Sequence, residues 1–282
     1  MIGAILGFSY TDDQMTNPTY DFPIFLINLD GSDDRLASAC NALRAQGAHF
    51  IRIPAFDGRE IETSTITEYD NEACMGYLGR PMNGGEIGCY ISHVRAAQAF
   101  LETGQEYGLV LEDDMMPNPD ALALTQMFID HQKNKTAPDW YVAHLSANKI
   151  KIATKVGTIE MPNAKYDVVR AHYFPMVATA LLWNRAGAER FLEGCWPISA
   201  PVDNHFRRWL TAIDKGVAID PQVFKASGAP SDIDAKVKNV PRNENPRSRS
   251  YGVKKIKRMY GDKLRALAWK LAENIKRLRS RT

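Results

Sequence analysis

A chain of 282 residues with 45% hydrophobic and 24% charged side chains has the make-up of a folded globular protein, which excludes a disordered, collagen-like or low-complexity chain. Lys and Arg number 35 against 33 Asp and Glu, a net charge of +2, but residues 247–282 hold 13 basic and two acidic side chains, so an acidic body carries a strongly basic tail. No stretch approaches the roughly 20 apolar residues of a membrane-spanning helix. Four scattered cysteines, Cys40, Cys74, Cys89 and Cys195, form no C-x-x-C pair, which argues against a zinc ribbon or a disulfide scaffold and points to a reducing, cytoplasmic location.

The apolar opening, residues 1–10, has no basic region before it and runs into Thr11-Asp12-Asp13, so residues 1–21 read as a leader rather than a signal peptide. Residues 22–29 form a short β-prone apolar run, a buried strand that enters a turn at 30–34. Leu36, Ala39, Cys40 and Leu43 recur at helical spacing up to Gly47, and residues 50–54 read as a second strand. Strand, helix and strand within about thirty residues make a βαβ unit with a parallel pair. Neither a dinucleotide fingerprint nor a P-loop follows the first strand.

Further on, a helix is expected over 92–102 and a strand over 107–111, leading into Glu112-Asp113-Asp114. A turn at 117–120 opens a helix through 128, strands are expected at 140–145 and 177–183, and a helix at 184–192. The alternation to about residue 225 predicts an α/β architecture, a mostly parallel sheet with flanking helices. Residues 227–249, rich in Pro, Ser, Asn and Asp, read as a linker. Beyond them Ile256, Tyr260, Leu264, Leu267, Leu271, Ile275 and Leu278 step by three or four, a basic amphipathic helix within a 250–282 tail.

Three adjacent carboxylates at the end of an apolar strand repel one another unless a cation sits among them. In extended chain Glu112 and Asp114 point the same way, at the strand end where open α/β sheets bind ligands. Oxygen donors of this kind suit Mg2+ or Mn2+ beside a diphosphate; the plainer reading is a solvated loop in which Asp114 caps a neighbour. Gly84-Gly85 and Gly88 permit close backbone approach, and Ser92 and His93 sit where a helix would start, with N–H groups suited to phosphate. The plainer reading there is a glycine-rich turn with His93 buried.

Together these blocks resemble glycosyltransferase family 25, the lipooligosaccharide galactosyltransferases and their collagen galactosyltransferase relatives. The resemblance rests on Ile27-Asn-Leu-Asp30 with Asp34-Arg35, on Arg52-Ile-Pro-Ala-Phe-Asp-Gly58 and on Gly85-Glu-Ile-Gly-Cys-Tyr-Ile-Ser-His93. It continues through Gly108-Leu-Val-Leu-Glu-Asp-Asp114, the stretch 179–192 with Arg185-Ala-Gly-Ala188, and Pro201-Val-Asp203, spanning about residues 22–210 in the family's order. It implies a GT-A-like domain over 22–226, a UDP-sugar donor (usually UDP-galactose), a divalent cation (Mn2+ or Mg2+) and inversion at the anomeric carbon. Carried over, Asn28, Leu29 and Arg35 line the uridine and diphosphate pocket, and Asp57, Glu86, Ser92, His93 and Asp113 face the same cleft. Glu112 and Asp114 are the expected metal ligands, Asp114 first.

Inverting transfer needs a base for the acceptor hydroxyl, and Asp203 is the expected one; the structural alternative makes it the N-cap of its helix. His205 is either a third metal ligand or structural. The expected acceptor is a cell-surface glycan such as lipooligosaccharide. The rival reading is a non-catalytic nucleotide- or polyanion-binding module on a degenerate fold, against which intact Glu112-Asp113-Asp114 and Arg35 speak. Three readings of the tail stand side by side: an anionic membrane surface with Trp269 among the inserted residues, which would place the protein on the inner face of the cytoplasmic membrane; electrostatic nucleic-acid binding, the least expected; or an apolar stripe packed on the domain.

Overall fold

The computed structural model describes residues 20–133, 139–228 and 246–279. The leader residues 1–19 and the linker residues 229–245 lie outside the described residues, and with them most of those two expectations.

Strand β1 (Ile24–Asn28) is buried at all five positions, because a strand covered on both faces is apolar throughout rather than alternating. Helix α1 (Asp33–Arg44) returns the chain to β2 (Ile51–Pro54), which pairs parallel to β1 with Phe25 opposite Ile51, so the expected βαβ unit is present. Helix α2 (Asn71–Leu78) is capped by the Asp70 side chain, which accepts the Ala73 N–H at 2.8 Å, and ends at Gly79 in the left-handed region with φ 81°. The long α3 (Gly84–Glu102) leads into β3 (Tyr107–Glu112), the short β4 (Met115–Pro117) and α4 (Ala121–Lys133). Then come β5 (Val142–His144), a hairpin of β6 (Thr154–Met161) and β7 (Ala164–Arg170), and β8 (Ala180–Asn184). Helices α5 (Arg185–Glu193) and α6 (Val202–Ile213), strands β9 (Gly216–Asp220) and β10 (Phe224–Ala226), and α7 (Tyr251–Arg279) complete the described chain.

Eight strands form one sheet in the order β2-β1-β3-β8-β5-β9-β7-β6. Pairing is parallel for β2-β1, β1-β3 and β5-β9 and antiparallel for the other four neighbours, so six strands run one way and only β8 and β7 run against them. The fold is therefore α/β with a mixed, mostly co-directional sheet. Period-two alternation sends Phe25 and Ile27 to one face and Ile24 and Leu26 to the other. One face packs on α3, α5 and α6 through Tyr90, Phe100, Trp183, Phe191 and Phe206, and the other on α1 and α4 through Leu43, Leu122 and Phe128. At about 1.5–3 kcal/mol for each fully buried large apolar side chain, these two layers supply the main stabilisation.

Two expectations change. The helix predicted from Ser92 begins two turns earlier, at Gly84, because Asn83 and Glu86 form a complete capping box. The β6–β7 hairpin was not predicted; exposed charges at Lys155, Glu160 and Lys165 break its apolar signal. Among the described residues no helix is long and apolar enough to cross a membrane.

Candidate functional site

Strands β1 and β3 are parallel neighbours, with Ile27 opposite Glu112, so their carboxyl ends open on the same sheet edge. Asp113 is tied into that edge on every side. Its N–H reaches the Ile27 carbonyl at 3.1 Å, and its carboxylate meets Arg35 at 2.5 Å and accepts from Asn28 Nδ2 at 2.7 Å. The Asn28 Oδ1 in turn accepts from Arg52 Nε at 2.9 Å, and Arg52 pairs with Asp30. This network joins β1, α1, β2 and β3, and it fixes the Arg35 guanidinium at the mouth of a cavity. Asp113, Arg35 and Leu29 all line the cavity wall, while Asn28 acts through Asp113, whose carboxylate it holds.

Two adjoining lobes form the cleft. The first, of about 160 Å3, lies between the β1 and β3 ends and the loop 55–59; Arg35, Phe56, Asp57 and Arg59 line it. The second, of about 140 Å3, is bounded by Val177, Thr179 and Asp203. Cys89, Glu112 and Asp114 border both. Glu112 is held from the α3 side, where His93 Nε2 donates to its Oε1 at 3.2 Å and the Cys89 thiol lies 3.8 Å away. Burial works to raise Glu112, but the His93 hydrogen bond and charge, aided by Arg35, bring it below the usual carboxylate value. Asp114 is different. Burial, reinforced by Glu112, raises it to about 6, and its buried Oδ1 has no hydrogen-bond partner. Asp203 is also raised to about 6, by burial first and Glu112 second, with a backbone hydrogen bond from Val177 opposing.

Pro201 is the N-cap of helix α6 and Asp203 lies two residues on, inside its first turn, so the capping alternative for Asp203 does not apply. Val177 holds φ 78°, a costly conformation for a β-branched residue. That strained turn presents its backbone to Asp203 across the second lobe.

Close backbone packing explains Gly88 of α3 and Gly58 of the loop it faces. A Cβ on Gly88 would lie 2.3 Å from the Phe56 carbonyl oxygen, and one on Gly58 2.0 Å from that of Gly84. The α3 backbone and the loop 55–59 therefore touch directly. Ser92, inside the helix, donates its hydroxyl to the Gly88 carbonyl and accepts the Phe56 N–H at 2.9 Å, pinning the same loop. The helix start expected at Ser92 and His93 is thus corrected: both lie in the third turn of α3, where they hold a loop and a carboxylate, and Ser92 also borders the first lobe. Glu86 caps α3 and forms a bidentate pair with Arg80 at 2.6 and 2.7 Å, so its carboxylate is already engaged. Asp57 is paired with Arg59 by two side-chain hydrogen bonds. Arg59, Cys89 and Val177 were not singled out in the sequence; Arg59 directly follows Asp57-Gly58, and that adjacency was the available signal. His205 packs edge-on against Tyr90 and Phe191, with its Nδ1 3.2 Å from the Tyr90 hydroxyl, a structural setting rather than a ligand's.

Two donor sets could hold a cation. Cys89, His93 and Glu112 bring one donor atom each within 4.8 Å of one another, a soft set suited to zinc. Burial and the Glu112 and Asp203 carboxylates push the Cys89 thiol well above its usual value, and the second ring nitrogen of His93 has no partner to orient it as a ligand. That set serves Glu112. The second set, Glu112 and Asp114, offers carboxylate oxygens, one of them buried and unsatisfied, beside a further raised carboxylate at Asp203. Oxygen donors of this kind match the chemistry of a hard divalent cation.

Comparison with known proteins extends the resemblance. Procollagen galactosyltransferase 2 of Homo sapiens is 33% identical over 154 residues, covering 53% of this chain and 24% of its own length. The Mus musculus protein of the same name is 28% identical over 155 residues, 53% and 24% respectively. A glycosyltransferase 25 family member of Aedes aegypti is 33% identical over 100 residues, 34% of this chain and 16% of its own. The chain thus spans about a quarter or less of the curated relatives it matches. A solved glycosyltransferase involved in glycosylation of the major capsid of PBCV-1 aligns over 74% of this chain and 94% of its own, with a TM-score of 0.39 at 12% identity. The model of glycosyltransferase family 25 (LPS biosynthesis protein) matches residues 21–205, and the chain belongs to that family.

Proposed function

We propose that the chain is a UDP-sugar-dependent hexosyltransferase that moves galactose from UDP-galactose, with inversion, to a hydroxyl of a cell-surface glycan such as lipooligosaccharide. The observation that carries this reading is the two-lobed cleft joined at Glu112 and Asp114, with cationic side chains on one side and Asp203 on the other. In the first lobe, Ile27, Leu29 and Ala55 supply apolar surface for a nucleoside, and Arg35 and Arg59 supply charge for its diphosphate. Glu112 and Asp114 would hold Mn2+ or Mg2+, whose charge offsets that of the departing diphosphate. In the second lobe, Asp203 takes the proton of the acceptor hydroxyl as its oxygen bonds to the anomeric carbon and the bond to UDP breaks. A carboxylate raised to about 6 is a better base than an ordinary aspartate and is still largely ionised at pH 7. Galactose as the donor sugar is supported by the names of the procollagen relatives.

The test is UDP release from a panel of UDP-sugars, with and without Mn2+, comparing wild type with Asp114→Ala. Metal-dependent turnover of UDP-galactose above the other donors, lost in the variant, is expected. Nucleotide binding without release from any donor, acceptors supplied, would overturn the reading in favour of a binding module.

A further inference from the structure

The basic tail packs against the body with the side opposite to the one its sequence pattern suggests. Helix α7 lies on α2 and α6. The contact is made by Lys254, which donates to the Met75 carbonyl at 2.8 Å, and by Arg258, which donates to the Tyr77 carbonyl at 2.9 Å and lies over the Tyr77 ring. Asp262, 7% exposed and near Arg207 and Arg208, and Ala266, fully buried, continue that face. These residues recur every four positions, so they form one row along the helix.

At about 100° per residue, the apolar stripe from Val253 through Leu264 and Leu271 to Leu278 falls on the opposite side. It is open to solvent: Leu264 is 67% exposed, Leu271 61% and Leu278 66%. The packed-stripe reading of the tail is therefore corrected. Trp269 is corrected too, since its helical phase places it on the Asp262 side. Contiguous apolar surface of this kind on a protein exterior marks an interaction site. Lys263, Lys270 and Arg277, spaced by seven, run along one border of the stripe, and Lys257, Arg265 and Arg279 along the other. Within α7 ten basic residues face two acidic ones.

We infer that α7 is a membrane-docking helix that lies flat on an anionic bilayer, its leucine stripe in the acyl boundary and the two basic rows against lipid headgroups. Long basic side chains reach the headgroups from either border while their stems cover apolar surface. Charge selects this occupant. A second copy would set two strongly positive helices face to face, and a nucleic acid would meet the basic rows but leave the leucines wet. The far face, held by α2 and α6, fixes the helix to the domain so that docking the helix docks the cleft.

Co-sedimentation of the full chain with vesicles tests this without any turnover, so its outcome is separate from that of the transferase reading. The probes are vesicles of phosphatidylcholine alone and vesicles with about one quarter phosphatidylglycerol. Wild type is expected to bind the anionic vesicles preferentially. Leu264→Glu with Leu271→Glu is expected to lower partitioning at least about tenfold, with the melting temperature unchanged because neither side chain touches the body. Lys263→Gln, Lys270→Gln and Arg277→Gln together are expected to abolish the preference for anionic lipid. Failure of wild type to bind either vesicle would overturn the inference. So would undiminished binding by the leucine variant, tighter binding to a nucleic acid than to vesicles, or a wild-type dimer that the leucine variant converts to monomer.

Discussion

The two walls of the cleft treat their carboxylates in opposite ways. On the wall built by β1, α1 and the start of α3, Asp113 is clasped by Arg35 and Asn28, and Glu86 by Arg80. Toward the β8 and α6 side, Asp114 and Asp203 have no ion pair among the described residues, and both are raised to about 6. Saturated carboxylates hold structure, because a partner already offsets their charge. Unsaturated ones are held at a cost in stability that a cation or a proton can relieve, which is how sites for chemistry are recognised. Asp113 and Asp114 are adjacent in sequence yet fall on opposite sides of that division.

Breaking the saturated wall should cost the most stability. Asp113→Ala removes a buried carboxylate that pairs with Arg35 and accepts from the buried Asn28 amide, with an expected loss of about 3 kcal/mol, read as a lower urea midpoint. Asp114→Ala should leave the midpoint unchanged or raise it. Equal losses in the two variants would erase the distinction. Gly88→Ala comes next. Its methyl would meet the Phe56 carbonyl, so a loss of about 1–3 kcal/mol is expected, together with a higher KM for the donor, because the shifted loop carries Asp57 and Arg59.

A further effect concerns pH. Burial lowers both His144 and His205 to about 4, in His205 with Arg208 adding to it, against about 6.5 in the unfolded chain. Between those values the unfolded state binds more protons, so stability is complete above about pH 6.5 and falls as pH drops toward 4. Urea midpoints of wild type and His144→Gln between pH 7 and 4.5 check this, with a shallower decline expected in the variant.

How much of this was legible depends on whether the signal is local. Strands β1 and β3 were readable because parallel strands buried on both faces are apolar without interruption, and the acidic triplet stood out where such a run stops. The start of α3 was misplaced because its glycines look like helix breakers, although Asn83 followed three residues later by Glu86 was a usable sign. Of these glycines, Gly88 answers to Phe56 and Gly58, some thirty residues away, and no local pattern shows that. The division of labour between Asp113 and Asp114 likewise depends on Arg35 and Asn28, brought alongside by the sheet. In α7 the four-and-three stepping gave the helix and its stripe but not which side meets the domain. Tyr77, Asp262 and Arg208 decide that.

The role proposed for Asp203, across the cleft from the donor lobe, is to accept the acceptor's proton. Asp203→Asn tests it most directly, with UDP-galactose turnover and UDP binding measured on the same preparation. Turnover lower by about 10²- to 10⁴-fold is expected, with UDP binding and melting temperature unchanged, and a wild-type rate that falls as pH drops below about 6. Turnover within a few-fold of wild type and an unaltered pH profile would contradict it.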